Sequence, residues 1–346
     1  MGNINFFENL KSVYIIAEVG VNHNGNINTA KVLIDKAKDV GANAVKFQSY
    51  KAKKLANVNT PKVKYQKFNS INSNETHLEM LQKYELSEDD HINLKDYCDK
   101  KNIDFLSTPY DVESAKLLNR LNVKMFKVAS ADLVDLQLHK YLSSTFKPVI
   151  ISTGMSTLDE IEKTLKMYDL QKSSIVLLHC VSNYPCSIKS LNLNSIKLLK
   201  NYFDLPVGYS DHSSDSISAC ISVALSSKVF EKHLTLDKKM EGPDHKASSN
   251  PEEFLNLVNV IRKTEIILGS YTKSVKEEEL EMRKISRKSL YLAKNVKYNQ
   301  NVKEADFDLK RPGIGISPLE IPNIIGKSYL RDISEGELLK KEDIKL

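Results

Sequence analysis

Short apolar runs alternate with amphipathic stretches along most of the chain. Eight such runs fall in the first 270 residues: Val13–Glu18, Ala44–Gln48, Ile103–Ser107, Val123–Val128, Val149–Ser152, Ile175–Cys180, Pro206–Ser210 and Lys228–His233. They are rich in Val, Ile and Phe, as strands buried on both faces of a parallel sheet are. The stretches between them carry helix signals. Ala30–Val40 has apolar residues at helical spacing and stops at Gly41. Ser87 with Asp90, and Thr157 with Glu160, read as capping boxes. Asn250-Pro251-Glu252-Glu253 offers a cap, a first-turn proline and acids at the positive helix end. Phe254, Leu257, Val258 and Ile261 then share one helix face, and the pattern ends at Gly269.

Eight strand–helix units in ~250 residues match the size of a (β/α)8 TIM barrel. A doubly wound open sheet could use the same elements. The pattern predicts an α/β domain over 1–270. One long polar loop, Tyr50–Thr76, follows the second run; segments of that length are commonly lids or disordered. Beyond Gly269 the texture changes. Residues 271–286, dominated by Lys, Glu and Met, predict a linker, and 287–346 predict a small, mostly β domain. So short a domain buries little core alone and is expected to lean on a neighbour.

Composition narrows the class. The chain has 346 residues, 41% hydrophobic and 27% charged, the balance of a soluble globular protein. No apolar run approaches the ~20 residues that span a bilayer. The first ten residues lack the apolar core of a secretory signal, so no membrane association is expected. Cys98, Cys180, Cys186 and Cys220 form no C-x-x-C pair and read as reduced thiols of a cytoplasmic protein. The net charge of +6 comes from lysines scattered among acids, which argues against nucleic acid as a partner.

In a barrel, chemistry gathers at the C-terminal strand ends and the loops just beyond them. Those positions here hold Glu18; Lys46 and Gln48; Ser107 and Thr108; Lys127 and Ser130; Ser152; His179, Ser182 and Tyr184; Ser210, Asp211 and His212; and Glu231 and His233. Any one of these could be an ordinary loop residue, but eight polar strand ends in register point to a site. Val229, Glu231 and His233 share one strand face, and burying the last two is costly unless they bind something. Lysines and hydroxyls suit a phosphate and a carboxylate. Two histidines without thiolates suit a divalent metal with open positions. Glu18 could serve as a general base. His23, His77, His91 and His139 read as loop or solvated residues, and Cys180 and Cys186 as small buried ones.

Longer motifs add a resemblance. I-A-E-V-G-V-N-H-N-G (16–25), V-K-F-Q-S-Y-K-A (45–52), F-K-V-A-S-A-D (126–132), G-Y-S-D-H-S (208–213), G-P-D-H-K-A-S (242–248) and K-R-P-G-I-G-I-S-P (310–318) resemble the sialic acid synthases. Members of that family condense phosphoenolpyruvate with an N-acyl hexosamine. The resemblance implies a TIM barrel followed by a small C-terminal antifreeze-like (SAF) domain. It also implies a homodimer in which that domain is swapped onto the partner's barrel. Carried over by motif, His212 and His233 would hold Mn²⁺, with Mg²⁺ or Co²⁺ as alternatives. Lys46, Lys127, Ser130, Ser152, Ser182 and Ser210 would hold phosphoenolpyruvate. Gln48, Thr108, Asp132, Tyr184, Glu231 and Asp244 would contact substrate, Arg311 would reach it from the partner chain, and Glu18 would be the essential carboxylate. Ser130-Ala131-Asp132 departs from the family's Ser-Gly-Glu, with a side chain one methylene shorter. The implied reaction is N-acetylneuraminate synthesis from open-chain N-acetylmannosamine, with loss of phosphate by C–O cleavage. The alternative acceptor is 2,4-diacetamido-2,4,6-trideoxymannose, giving N,N'-diacetyllegionaminate. A non-catalytic sugar-binding protein on the same fold would be expected to have lost Glu18, a histidine or a lysine, and all are kept.

Overall fold

The computed structural model describes residues 5–63, 66 and 75–345. Its backbone divides into two compact units, Met1–Gly269 and Ser270–Leu346.

In the first unit all eight apolar runs form strands: β1 Tyr14–Gly20, β2 Ala44–Ser49, β3 Asp104–Pro109, β4 Phe126–Val128, β5 Val149–Ser152, β6 Ile175–His179, β7 Val207–Asp211 and β8 Val229–His233. They pair in the order β3-β2-β1-β8-β7-β6-β5-β4, and every pair is parallel. β3 packs beside β4 and brings the ring close to closure. The fold is therefore a (β/α)8 barrel and not an open sheet, because the first strand pairs with the last.

The helices start where the caps predict. Ser87 and Thr157 close capping boxes with Asp90 and Glu160, and Asn250 does so with Glu253 ahead of the helix Pro251–Leu268. The helix Ile27–Asp39 is followed by Gly41 at φ +83°, a left-handed position that favours glycine.

Alternation along the strands makes two cores. Outward residues such as Ile15, Val45, Phe47, Phe105 and Phe230 pack against the helices. Inward residues Tyr14, Ile16, Ala44, Leu106, Ile150 and Val176 fill the lower barrel, where Phe7 from the N-terminal segment joins them. One step higher, the inward positions become Glu18, Lys46, Lys127, Ser152, Ser210 and Glu231. The same period-two rule thus gives an apolar floor and a polar mouth. Gly208 sits where strands crowd: a Cβ there would lie 2.4 Å from the Val229 carbonyl oxygen.

Within Tyr50–Thr76, residues Ala52–Leu55 form a short helix, while residues 64, 65 and 67–74 lie outside the described residues. Among the described residues no helix is long and apolar enough to cross a membrane.

In the second unit, Leu280–Ser286 is helical. Strand β9 Ser289–Leu292 then pairs antiparallel with β10 Phe307–Lys310. Leu290, Leu292, Val296, Tyr329 and Ile344 form a core of its own.

Candidate active site

The polar strand ends surround a cavity of about 430 Å³ at the C-terminal face of the barrel. Glu18, Lys46, Gln48, Thr108, Lys127, Ser130, Asp132, Ser152, Ser182, Tyr184, Ser210, His212, Glu231, His233 and Asp244 all line it. Arg311 belongs to the second unit, exposed in the stretch after β10.

A charge network lies at the centre. Glu18 Oε2 is 2.6 Å from Lys46 Nζ, and Glu231 lies 3.7 Å from Lys46 and 3.8 Å from Lys127. Lys46 also donates to Thr108 at 3.1 Å, and Lys127 to Ser152 at 2.7 Å. Ser210 donates to Glu231 at 3.0 Å. Two carboxylates thus face two ammonium groups, with hydroxyls filling the remaining directions. Burial pushes Glu18 up, to about 7, against the pull of Lys46. Burial acts on Glu231 too, but Lys127 and Lys46 outweigh it and hold that carboxyl below the usual carboxylate range. Lys46 goes up because its two carboxylate neighbours exceed the cost of burial, whereas burial wins at Lys127 and lowers it. Glu231 is therefore the standing counter-ion, and Glu18 the carboxylate able to hold or give up a proton near neutrality.

Beside this network is a cradle of short polar groups. A Cβ at Gly154 would lie 2.5 Å from Ser182 Oγ, 2.8 Å from Cys180 Sγ and 2.9 Å from Ser130 Oγ. Only glycine leaves that space open, and its N–H donates to Ser130 at 3.0 Å. With Lys127 and Ser152 adjoining, the cradle has the donors an oxyanion needs. Cys180, expected only as a small buried residue, is part of this wall. Its thiol is raised by burial and stays protonated.

His212 and His233 sit on the far side, with ring centroids 5.8 Å apart. Burial lowers His212 to about 4 and holds His233 well below the usual imidazole range, so both imidazoles are neutral. His212 Nδ1 lies 2.8 Å from the Val181 carbonyl, which assigns the proton to Nδ1 and leaves Nε2 as the acceptor nitrogen, 3.4 Å from Ser210 Oγ. His233 Nδ1 is buried with no hydrogen-bond partner. Tyr184 packs against His212 at a tilt, ring centroids 4.1 Å apart, and meets His233 edge-on at 5.5 Å. Among the described residues no group of three or more His, Cys, Asp and Glu side chains forms a complete cage. Two neutral imidazoles still fit a divalent ion that keeps open positions for water or substrate. His212 and His233 are the residues that would hold it.

Two more carboxyls border the cavity. Burial pushes Asp244 up to about 6. Asp132, raised to about 7 by burial and by Asp135, has a buried Oδ2 without a hydrogen-bond partner.

Several histidines differ from the sequence reading. His91 and His139 are buried rather than solvated, because both lie on the inner faces of amphipathic helices. Ser49 donates to His91 Nε2 at 2.6 Å, and Tyr168 Oη lies 2.7 Å from His139 Nδ1. His77 lines the cavity. His179 and Asp211, both at strand ends, turn out of the barrel: His179 stacks on Tyr209 and Asp211 pairs with Lys232. The wall formed by the segment after β2, with Leu55, Ala56, Met80 and Leu81, was missed. Leu55 and Ala56 lie in a polar stretch that carries no periodic signal, and Met80 and Leu81 lie on the helix His77–Tyr84, whose facing the sequence alone does not give.

The NeuB family matches residues 33–273, and the SAF domain matches residues 287–345. The chain belongs to the NeuB family. Membership carries the enzyme class, a transferase that joins phosphoenolpyruvate to a sugar in making nonulosonic acids. N,N'-diacetyllegionaminic acid synthase of Legionella pneumophila is 42% identical over 336 residues, covering 96% of this chain and 94% of its own. The Campylobacter jejuni protein of the same name is 41% identical over 335 residues, covering 96% of this chain and all of its own. N-acetylneuraminic acid synthetase from Leptospira borgpetersenii, solved with citrate, has a TM-score of 0.70 at 33% identity over 79% of this NeuB chain and 90% of that one.

Proposed function

We propose that this NeuB protein condenses phosphoenolpyruvate with 2,4-diacetamido-2,4,6-trideoxymannose and water, giving N,N'-diacetyllegionaminate and phosphate. The observation that carries the acceptor is the apolar wall of Leu55, Ala56, Met80 and Leu81, extended by Val21 and Tyr110. The 6-methyl and 4-acetamido methyl groups lose nothing by meeting such a wall. The 4- and 6-hydroxyls of N-acetylmannosamine would be stripped of water there. Two relatives, at 42% and 41% identity, bear the legionaminic name. This reverses the order of acceptors expected from the motifs. N-acetylmannosamine, giving N-acetylneuraminate, is the second reading, favoured by the polar Thr60 and Gln66, which also line the cavity.

In this reading Lys46 and Lys127 neutralise phosphoenolpyruvate, and Ser130, Ser152 and Ser182 around Gly154 receive its phosphate. C3 of phosphoenolpyruvate bonds to the aldehyde carbon of the open-chain sugar. Water adds at C2, and the tetrahedral intermediate loses phosphate by breaking the C2–O bond. The two protons of the water end on the new hydroxyl and on the departing phosphate, and Glu18 carries one of them. When bound at His212 and His233, a divalent ion such as Mn²⁺ supplies Lewis acidity toward the acceptor carbonyl. Gln48, Tyr184 and Asp244 orient the sugar. Four free cysteines suit a reducing, cytoplasmic compartment. The swapped homodimer, with Arg311 supplied by the partner, belongs to the same reading. Exposed Leu309, Ile314 and Leu319, within eight residues of Arg311 in sequence, support it, since exposed apolar groups favour a covering surface.

The test is phosphate release from phosphoenolpyruvate with each amino sugar in turn. The diacetamido sugar is expected to give the higher kcat/KM, by about tenfold per well-placed methyl or acetamido contact. A preference for N-acetylmannosamine reverses the acceptor order, and phosphate release with neither sugar overturns the reading.

A further inference from the structure

Behind the two histidines, on the opposite face of the same strands, is a second charge cluster. Asp211 precedes His212 at the end of β7, and Lys232 precedes His233 at the end of β8; the two are register partners. Alternation turns both side chains away from the barrel interior, towards the helices. Lys232 Nζ lies 2.7 Å from Asp211 Oδ2, and the side chains are only 4% and 0% exposed. The Asp211 carboxylate is saturated. Its Oδ1 accepts from Tyr209 Oη–H at 3.0 Å and from the Ser213 N–H at 2.8 Å, and its Oδ2 also accepts from Ser218 Oγ–H at 3.2 Å. The same Lys232 ammonium donates to the Ser213 carbonyl oxygen. Both residues that flank His212 are thus tied to the residue that precedes His233.

A buried ion pair is often no better than packed apolar side chains of the same volume. What it fixes is position, because Asp211 and Lys232 join two adjacent strand ends at the height where they release the histidines into the cavity. His212 has a further constraint in its hydrogen bond to the Val181 carbonyl. His233 Nδ1 has no such partner, so that ring is held by its edge-on contact with Tyr184 and by its backbone, which Lys232 helps to fix.

We propose that the Asp211–Lys232 pair is a positioning device for the metal site, setting the separation and facing of the His212 and His233 imidazoles from behind the strands. Neither residue touches substrate or metal. The inference rests on reading the two histidines as ligands, and it is independent of which sugar is the acceptor.

The experiment is Mn²⁺ uptake by full-length, metal-free protein, measured by calorimetry and by electron paramagnetic resonance without substrates. Two variants are compared with wild type. K232M removes the ammonium, and D211N/K232M removes both charges so that no lone carboxylate is left buried. Outer partners of metal ligands typically set affinity by about ten- to a hundredfold, and a rise of that order in the Mn²⁺ dissociation constant is expected in each folded variant. Phosphoenolpyruvate binding to the metal-free protein, which depends on Lys46 and Lys127, is expected to stay near wild type. A variant with wild-type circular dichroism and wild-type Mn²⁺ affinity overturns the inference. Failure of both variants to fold also overturns it, since the pair would then be a strut of the fold with no separable role. Wild-type protein that takes up no Mn²⁺ overturns the ligand reading, and this inference with it.

Discussion

The Glu18 carboxylate lies 2.6 Å from the Lys46 ammonium, with both side chains almost wholly buried. Burial favours a neutral Glu18, and Lys46 favours a charged one. The balance leaves a carboxyl near 7, able to act in either state. An anionic substrate that draws on Lys46 weakens its hold on Glu18 and raises the basicity of that carboxylate when a proton must be taken. E18Q keeps the shape and removes the proton carrier. Its kcat is expected to fall by ~10²–10⁴, the usual worth of a placed acid or base, with KM for phosphoenolpyruvate unchanged or lower. Steady-state phosphate release checks this, and a kcat within tenfold of wild type removes Glu18 from the role.

Lys127 donates to Ser152 and lies beside the cradle around Gly154. K127M keeps the stem and deletes the charge. Charge-assisted hydrogen bonds contribute about 1.5–3 kcal/mol each, so phosphoenolpyruvate binding is expected to weaken by roughly ten- to a hundredfold. The KM for the amino sugar is expected to stay near wild type. Calorimetric titration with each substrate separately is the check, and equal losses for both would place Lys127 in the fold rather than at the phosphate.

Metal dependence can be read in the same assay. Chelation is expected to abolish turnover and added Mn²⁺ to restore it. H233A is expected to raise the Mn²⁺ concentration needed for half-maximal rate by about tenfold or more, because one of the two proposed protein ligands would be lost. Full turnover after exhaustive chelation would contradict the scheme, and an unchanged Mn²⁺ requirement in H233A would remove His233 as a ligand.

Much of this arrangement is legible in the chain, for a physical reason. Each barrel strand is apolar except where it ends, so Glu18, Lys46, Lys127 and His233 stand out against Val, Ile and Phe. What was not legible depends on contacts between elements. His91 and His139 look like helix-surface polar residues until the helix face that packs on the barrel is known. Lys232 alternates with Glu231 and His233 like an exposed strand residue, and only the neighbouring Asp211 makes its burial tolerable. Leu55 sits in an aperiodic segment where neither repeat gives a position to its side chain, and Met80 and Leu81 lie on the helix His77–Tyr84, whose apolar spacing and Thr76–Glu79 capping box are readable but whose facing onto the cavity depends on what it packs against. Asp132 fell between these cases: its place beside the site followed from the motif, its unpartnered oxygen did not.

That oxygen has a consequence for stability. Asp132 Oδ2 is buried without a hydrogen-bond partner, and burial together with Asp135 raises the group from 3.8 to about 7. A folded-state pKa above the unfolded one means that folding binds a proton. The contribution is fully present below about pH 4 and is lost as pH rises to about 7, with a slope no steeper than about 1.4 kcal/mol per pH unit. D132N resembles the protonated form in shape and does not titrate. The melting temperature of D132N minus that of wild type is therefore expected to climb between about pH 4 and pH 7 and to level off above it. Thermal melts of the metal-free proteins across that range read the difference directly. A flat difference would mean that Asp132 ionises in the folded protein as it does in the unfolded chain. A climb followed by a plateau would mean that the cavity holds an uncompensated charge at neutral pH, one that a hydrogen-bond donor on the sugar would relieve on binding.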